Sequence, residues 1–473
     1  MTRAVLALTA LLLAGCASFA PNPPLARYVP NAGYDFHALQ PGRNNTDELF
    51  VVVTFSGGGT RAAALAYGVL EALRETTFQR GGRTVSLLEE VDVISSISGG
   101  SFTAAYYALN GAKTFEDFPR RFLYRPVQSE LLRELFSPPN WLKLAAPAYG
   151  RSDLAAEYYD RELFDGASYA ALIARRQRPF VILNATDMTT GAPFPFIQDQ
   201  FDLLCSDLAG VPLARAVASS SAFPGSLTPL TFRNYAGSCG YRQPPWVPLA
   251  ENDHASRANP RRTARAETRL SLAEAAPGSG PARPYIHLTD GGVADNLGLR
   301  EPINALTSTN HPWSLVQMMN NGPMEKLVVI AVNAATAPKL ERDRSADVPG
   351  LVDTVTVAAE VPLGNYSFDT VELLNKATEE YDKDARLVAQ CNQLSARKGA
   401  QCALNLPSAR RIDFYPVQVA FEYLGSPEER AWFKGLPTTF ELAPDTVDRL
   451  IKVGRRLLYE DPKFQKLLED LKR

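Results

Sequence analysis

The run FVVVTFSGGGTRAAALAYGVLEAL, Phe50 to Leu73, constrains the fold more than any other stretch of this chain. Its first half, with Leu49 in front, is a short β-branched apolar run. That is the pattern of a strand buried on both faces. Three glycines follow, and Thr60–Arg74 then shows helical spacing. A strand that passes through a tight glycine turn straight into a helix starts a βαβ unit, and such units build parallel sheets covered by helices. The alternation continues. Strands are predicted at Leu49–Phe55, Val91–Ile97, Phe180–Asn184, Tyr285–Thr289 and Leu327–Asn333, and helices at Thr60–Arg74, Ser101–Leu109 and Leu154–Leu163. The fold class is α/β, with three α/β/α layers and a mostly parallel central sheet.

Two uses of the glycine loop compete. Gly57-x-Gly59-x-x-Ala62 satisfies a loose dinucleotide fingerprint, in which backbone N–H groups hold a pyrophosphate. That fingerprint also requires a second strand ending in an acidic residue about 20 residues on. Here the region is TTFQRGG, Thr76 to Gly82, which is polar and carries no acid. The other use is to aim bare N–H groups at an oxyanion, since glycine lets the backbone approach a substrate with no Cβ in the way.

The next strand favours the second use. In VDVISSISGGSFTAAYYAL, Val91 to Leu109, an apolar strand ends, Ser98 follows, two glycines come next and a helix begins. This is the pattern of a nucleophile elbow, where a sharp strand-to-helix turn lifts the serine hydroxyl above the sheet. The turn tolerates only small residues two positions either side, and Ser96 and Gly100 stand there. The ordinary alternative is a serine in a glycine-rich helix cap; Ser101 would then be that cap, and it is also the rival nucleophile. A serine needs a base. Asp290 in HLTDGGVADNLGL ends an apolar strand before two glycines, which predicts a carboxylate at the edge of a parallel sheet, where α/β sites lie. The ordinary alternative is an Asp capping a turn. Of the four histidines, His37 is in the N-terminal segment, His254 is in a polar insertion and His287 points to the other face of its strand. Only His311 follows Asp290 in the order a Ser…Asp…His triad needs. A Ser98–Asp290 dyad requires fewer assumptions.

Taken together, these residues resemble the patatin-like phospholipases. GGGTR (Gly57–Arg61) is similar to that family's oxyanion loop with its arginine, SISGG to its nucleophile motif around Ser98, and DGG (Asp290–Gly292) to the motif carrying its dyad aspartate. ASSSAFPGSLTPL from Ala218 and NATDMTTG from Asn184 resemble further family segments. Two positions depart: Ala62 replaces a frequent glycine, and Ser96 replaces the first glycine of the elbow, as in the cytosolic phospholipase branch. The resemblance covers about Leu49 to Asn333. It implies a patatin-like fold and a serine acyl hydrolase of lipid esters, of the phospholipase A or lysophospholipase type. Ser98 would be the nucleophile, Asp290 the base, and Gly57, Gly58, Gly59 and Gly99 the oxyanion set. Arg61 would either support the loop or meet a substrate headgroup. Acyl transfer, general esterase or thioesterase chemistry by the same dyad, and a non-catalytic envelope role, are the alternatives. No cofactor or metal is implied.

The remaining sequence bears on location and organisation. MTRAVLALTALLLAGCAS has a basic start, an apolar run too short to span a bilayer and small residues before Cys16. It reads as a lipoprotein signal over 1–15, with acylation at Cys16 and anchoring in the bacterial outer membrane. A tether over 16–46, a catalytic region over 47–334 with a polar insertion at about 243–283, and a mostly helical C-terminal extension over 335–473 follow. A net charge of −2 argues against a nucleic-acid partner and leaves a membrane lipid or other acyl ester as substrate. The other four cysteines lack zinc-site spacing; an exported chain favours the disulfides Cys205–Cys239 and Cys391–Cys402.

Overall fold

A computed structural model describes residues 21–252, 260–276, 280–338, 350–398 and 412–472, with isolated positions between 343 and 348. The signal segment, Cys16, His254 and Cys402 lie outside the described residues. Eight strands form the central sheet: β1 (Leu49–Phe55), β2 (Val91–Ile97), β3 (Phe180–Asp187), β4 (Pro193–Pro195), β5 (Leu230–Arg233), β6 (Tyr285–Asp290), β7 (Lys326–Asn333) and β8 (Asp413–Ala420). Their order is β8-β7-β1-β2-β3-β6-β5, with β4 paired to β3. The run from β8 to β3 is parallel, whereas β6 is antiparallel to both neighbours. The helices of the first half of the chain include α1 (Gly59–Glu75), α2 (Gly99–Asn110), α3 (Val127–Leu135), α4 (Pro138–Leu144), α5 (Arg151–Tyr159) and α6 (Leu213–Ser220). After them come α7 (Pro260–Ala273), α8 (Leu351–Lys398) and α9 (Pro444–Glu460). The fold is three-layer α/β/α with a mostly parallel central sheet, as the sequence predicts.

β1 and β2 are buried at every position, as strands covered by helices on both faces must be. One apolar core runs from Tyr34 to Leu467. Both ends of the described chain join that core. Residues from 21 to 46 are packed against the body and do not form a free tether. Tyr34, Phe36 and Leu39 are buried, and the Tyr34 hydroxyl donates to the Val181 carbonyl at 3.1 Å. The side-chain amide of Asn22 donates to Ser206 Oγ at 2.7 Å. The mostly helical C-terminal extension also adds a strand to the sheet. Its strand β8 pairs with β7 from Lys326–Asp413 to Asn333–Ala420. Helix α9 lies so close to α1 that a Cβ on Gly68 would stand 2.2 Å from the Ile451 carbonyl oxygen.

The polar insertion is docked too. Helix Trp246–Asn252 and α7 share Val247, Ala250 and Ala266 as a small apolar contact. Ion pairs supply the rest: Arg269 to Asp199 at 2.6 Å and Arg283 to Asp187 at 2.7 Å. Cys205 and Cys239 form a disulfide with Cα atoms 5.4 Å apart. Cys391 is also disulfide-bonded. Among the described residues no helix is long and apolar enough to cross a membrane.

Candidate active site

Strand register brings Ser98 and Asp290 to one level of the sheet. Ile97, the last residue of β2, pairs with Asn184, while Asp290, the last of β6, pairs with Ala185. β3 runs on to Asp187, and β6 descends along that overhang to meet the end of β2. The sequence placed Asp290 at the end of an apolar strand, at the edge of a parallel sheet. Its strand is antiparallel, and the carboxylate reaches the site from the opposite direction. Its backbone is fixed on both sides, by Asp290 N donating to Ala222 O at 3.0 Å and by Thr186 Oγ1 donating to Asp290 O at 2.8 Å.

Ser98 occupies the turn with φ 49° and ψ −119°. A non-glycine residue there is strained, and such strain persists only where the surroundings hold it. Ser220, the last residue of α6, accepts the Ser98 N–H at 2.9 Å. Close packing does the rest, because a Cβ on Gly99 would stand 2.1 Å from the Gly59 carbonyl oxygen and one on Gly100 2.6 Å from the Phe55 Cβ. Ser101, the rival, is fully buried and joined to Ser96 and Ser220 by hydroxyl contacts of 3.1 and 2.9 Å. Ser98 lines the cavity; Ser101 does not.

Asp290 Oδ1 accepts from the Gly292 N–H at 2.8 Å. Oδ2 is buried and accepts no hydrogen bond among the described residues. Burial raises the carboxyl from near 3.8 to about 7, with the Gly292 N–H and the Ser98 side chain pulling the other way. The Ser98 side chain is thus close enough to favour the charged form of the carboxyl. Such contacts are often long in a free enzyme and tighten with substrate. No described histidine lines this cavity. His311 is buried beside Glu301 at 3.2 Å, His37 meets the Pro312 carbonyl, and His287 meets Thr231.

The glycine loop divides by role. Gly57, expected among the oxyanion donors, donates its N–H to the Asn296 carbonyl at 3.1 Å and is therefore engaged. The N–H groups of Gly58, Gly59 and Gly99 meet no backbone acceptor among the described residues. Gly58 and Gly59 have φ of 138° and 59°, which glycine alone adopts without strain.

A family model described as patatin-like phospholipase matches residues 53–303, more than half of the 473. The chain belongs to the patatin-like phospholipase family. Among solved structures it is similar to human GIVD cytosolic phospholipase A2, at 14% identity and a TM-score of 0.42 over 92% of this chain and 64% of that one. It is also similar to VipD from Legionella pneumophila, at 10% identity and a TM-score of 0.29 over 97% of this chain and 72% of that one. The chain thus spans just under two thirds of the human protein's solved length. Comparison with curated protein sequences finds no match.

In this patatin-like chain Arg61 is buried at the cavity wall and bonded to the C-terminal extension. Its Nε donates to Ala334 O at 2.8 Å, Nη1 to Leu436 O and Pro437 O at 2.8 Å each, and Nη2 to Thr438 Oγ1 at 3.1 Å. A planar five-donor fork suits that set, where a lysine would reach one or two oxygens. Thr439 sits on the loop itself: its carbonyl accepts the Thr60 N–H at 2.8 Å. Thr438, Thr439 and Phe440 also line the cavity, which measures about 1000 Å³. The C-terminal extension therefore completes a site whose motifs all lie before Ala334. Sequence reasoning missed Ser220, Asn296 and Thr439. Only Ser220 had a signal, in the ASSSAFPG run.

Proposed function

We propose that the chain is a lipid acyl hydrolase of the phospholipase A or lysophospholipase type, working through a Ser98–Asp290 dyad. One observation carries the reading. A serine held in a strained elbow and a buried, cation-free carboxyl raised to about 7 share one level of the sheet beside three uncommitted glycine N–H groups. In this reading Asp290 takes the Ser98 proton as Oγ attacks the ester carbonyl. The N–H groups of Gly58, Gly59 and Gly99 receive the oxyanion, each such donor being worth about 3–4 kcal/mol. The proton passes to the departing alcohol, and water then releases the fatty acid by the same route. The base fits its task because a carboxyl poised near neutral pH both accepts and returns a proton. Leu131, Leu132, Leu135, Leu154, Phe223 and Phe440 line the cavity and suit an acyl chain.

The proposal extends to location. The signal-like start and Cys16 support a lipid-anchored protein of the outer membrane, which puts the site beside phospholipid.

The test compares the wild type with Ser98→Ala on a short-chain nitrophenyl ester and on phospholipid vesicles. Both activities are expected to fall by at least about a thousandfold in the variant. Ester cleavage without phospholipid cleavage in the wild type reduces the reading to a general serine esterase. Activity retained in Ser98→Ala, or absent from the wild type, rejects the dyad and turns attention to acyl transfer with added acceptors or to binding alone.

A further inference from the structure

Fourteen large apolar side chains are exposed among the described residues, and five of them fall between Tyr124 and Leu142. Leu132 is 47% exposed, Phe136 68%, Trp141 55% and Leu142 43%. A cluster of this kind at one corner of a molecule marks an interaction surface, whereas scattered exposed apolar residues do not.

The corner is firmly built. The Trp141 indole N–H donates to the Leu135 carbonyl at 3.2 Å, and the Asn140 amide donates to the Glu134 carbonyl at 2.9 Å. These bonds tie α4 to the end of α3 while Phe136, Trp141 and Leu142 face outward. Its carboxylates are neutralised, Glu130 by Arg125 at 2.8 Å and Glu134 by Arg161 at 2.7 Å. Lys143 pairs with Glu157 at 2.7 Å. Arg133 is exposed and has no ion pair among the described residues. The surface is thus aromatic and aliphatic, with a spare cation and no spare anion. That composition matches elements that lie in a lipid headgroup boundary.

The second observation names the occupant. Leu131, Leu132 and Leu135 of α3 line the cavity that holds Ser98. Leu132 belongs to both, so the outward patch and the cavity wall are one continuous apolar surface. Phe368 and Tyr423, two more of the exposed residues, line the same cavity. We infer that the α3–α4 corner docks on a phospholipid bilayer and sets the cavity mouth against it. A lipid chain then passes from bilayer to cavity without crossing water. The inference rests on the reading of Ser98 as the nucleophile of a lipid hydrolase.

Two measurements on the full-length chain test it. The first uses the Ser98→Ala chain and vesicles of brominated phosphatidylcholine and phosphatidylglycerol, which quench tryptophan in contact with acyl chains. Quenching is expected, and adding Trp141→Phe is expected to abolish most of it, Trp313 being buried and Trp246 and Trp432 covered by Arg265 and Arg449. The second measures cleavage by a Phe136→Ser, Leu142→Ser chain, neither residue lining the cavity. Vesicle cleavage is expected to drop by about tenfold or more, as loss of two inserted side chains implies, with soluble-ester cleavage unchanged. Quenching that Trp141→Phe does not alter overturns the inference, as does vesicle cleavage equal to the parent's; either result points to a protein partner for the corner. An equal loss on both substrates also overturns it, by making the corner part of the site. Should the parent cleave neither substrate, the reading of Ser98 fails, and the quenching of the inactive chain still decides the docking.

Discussion

Asp187 and Asp290 end adjacent antiparallel strands, and both are buried. Asp187 is surrounded by donors. The Arg283 guanidinium meets its two oxygens at 2.7 and 2.8 Å, the Thr189 N–H donates at 3.0 Å and the Thr190 hydroxyl at 3.0 Å. Asp290 has the Gly292 N–H on one oxygen, the Ser98 side chain nearby and, among the described residues, no cation. Burial then raises its carboxyl to about 7. Two residues of one type, a few positions apart in the sheet, are thus made into different groups by a single arginine. The partnered carboxylate is a fastening, which holds Arg283 at the end of the insertion. The one without an arginine bears the cost of its own ionisation and is poised to act as a base.

Neutralising each aspartate breaks that comparison in opposite ways. Asp290→Asn is expected to lower soluble-ester cleavage by at least about a thousandfold, close to the effect of Ser98→Ala, because the two act as a unit. Asp187→Asn is expected to cost stability instead, about 3 kcal/mol, since it leaves a largely buried guanidinium without its partner. Denaturant unfolding followed by circular dichroism reads this directly, and equal stability of the two variants would erase the distinction. The smallest effect is a gain. While the carboxyl is protonated in both folded and unfolded chains, below about pH 3.8, Asp290 costs nothing. The cost grows as pH rises from there towards 7 and is constant above. Asp290→Asn is therefore expected to melt higher than the wild type at pH 8, by about 1–2 kcal/mol of stability, with the advantage shrinking by pH 5.

Much of this site was legible because its parts are local. Gly57–Arg61, Ser98–Gly100 and Asp290–Gly292 each announce themselves by a strand, a tight turn and small residues, and β1 and β2 have the bounds their apolar runs predict. What escaped the sequence depends on distant chain. Strand β8 contains Pro416, which argues against a strand; at the sheet edge its missing N–H is tolerated. The insertion looks too polar to pack, yet Arg269 and Arg283 are matched by Asp199 and Asp187 from far upstream, and no periodicity reveals such a match. The ambiguity of Arg61 has the same origin, since its acceptors at Leu436, Pro437 and Thr438 lie more than 370 residues away. The antiparallel run of β6 is a matter of topology, and an isolated strand pattern carries no direction.

The pH dependence of kcat/KM on a soluble ester tests the central claim most directly, because that ratio titrates the free enzyme. The account predicts a rise with pH through a single limb near 7, the value to which burial lifts Asp290, followed by a plateau. A rate independent of pH from 5 to 8, or a limb near the ordinary carboxylate value of about 3.9, contradicts it.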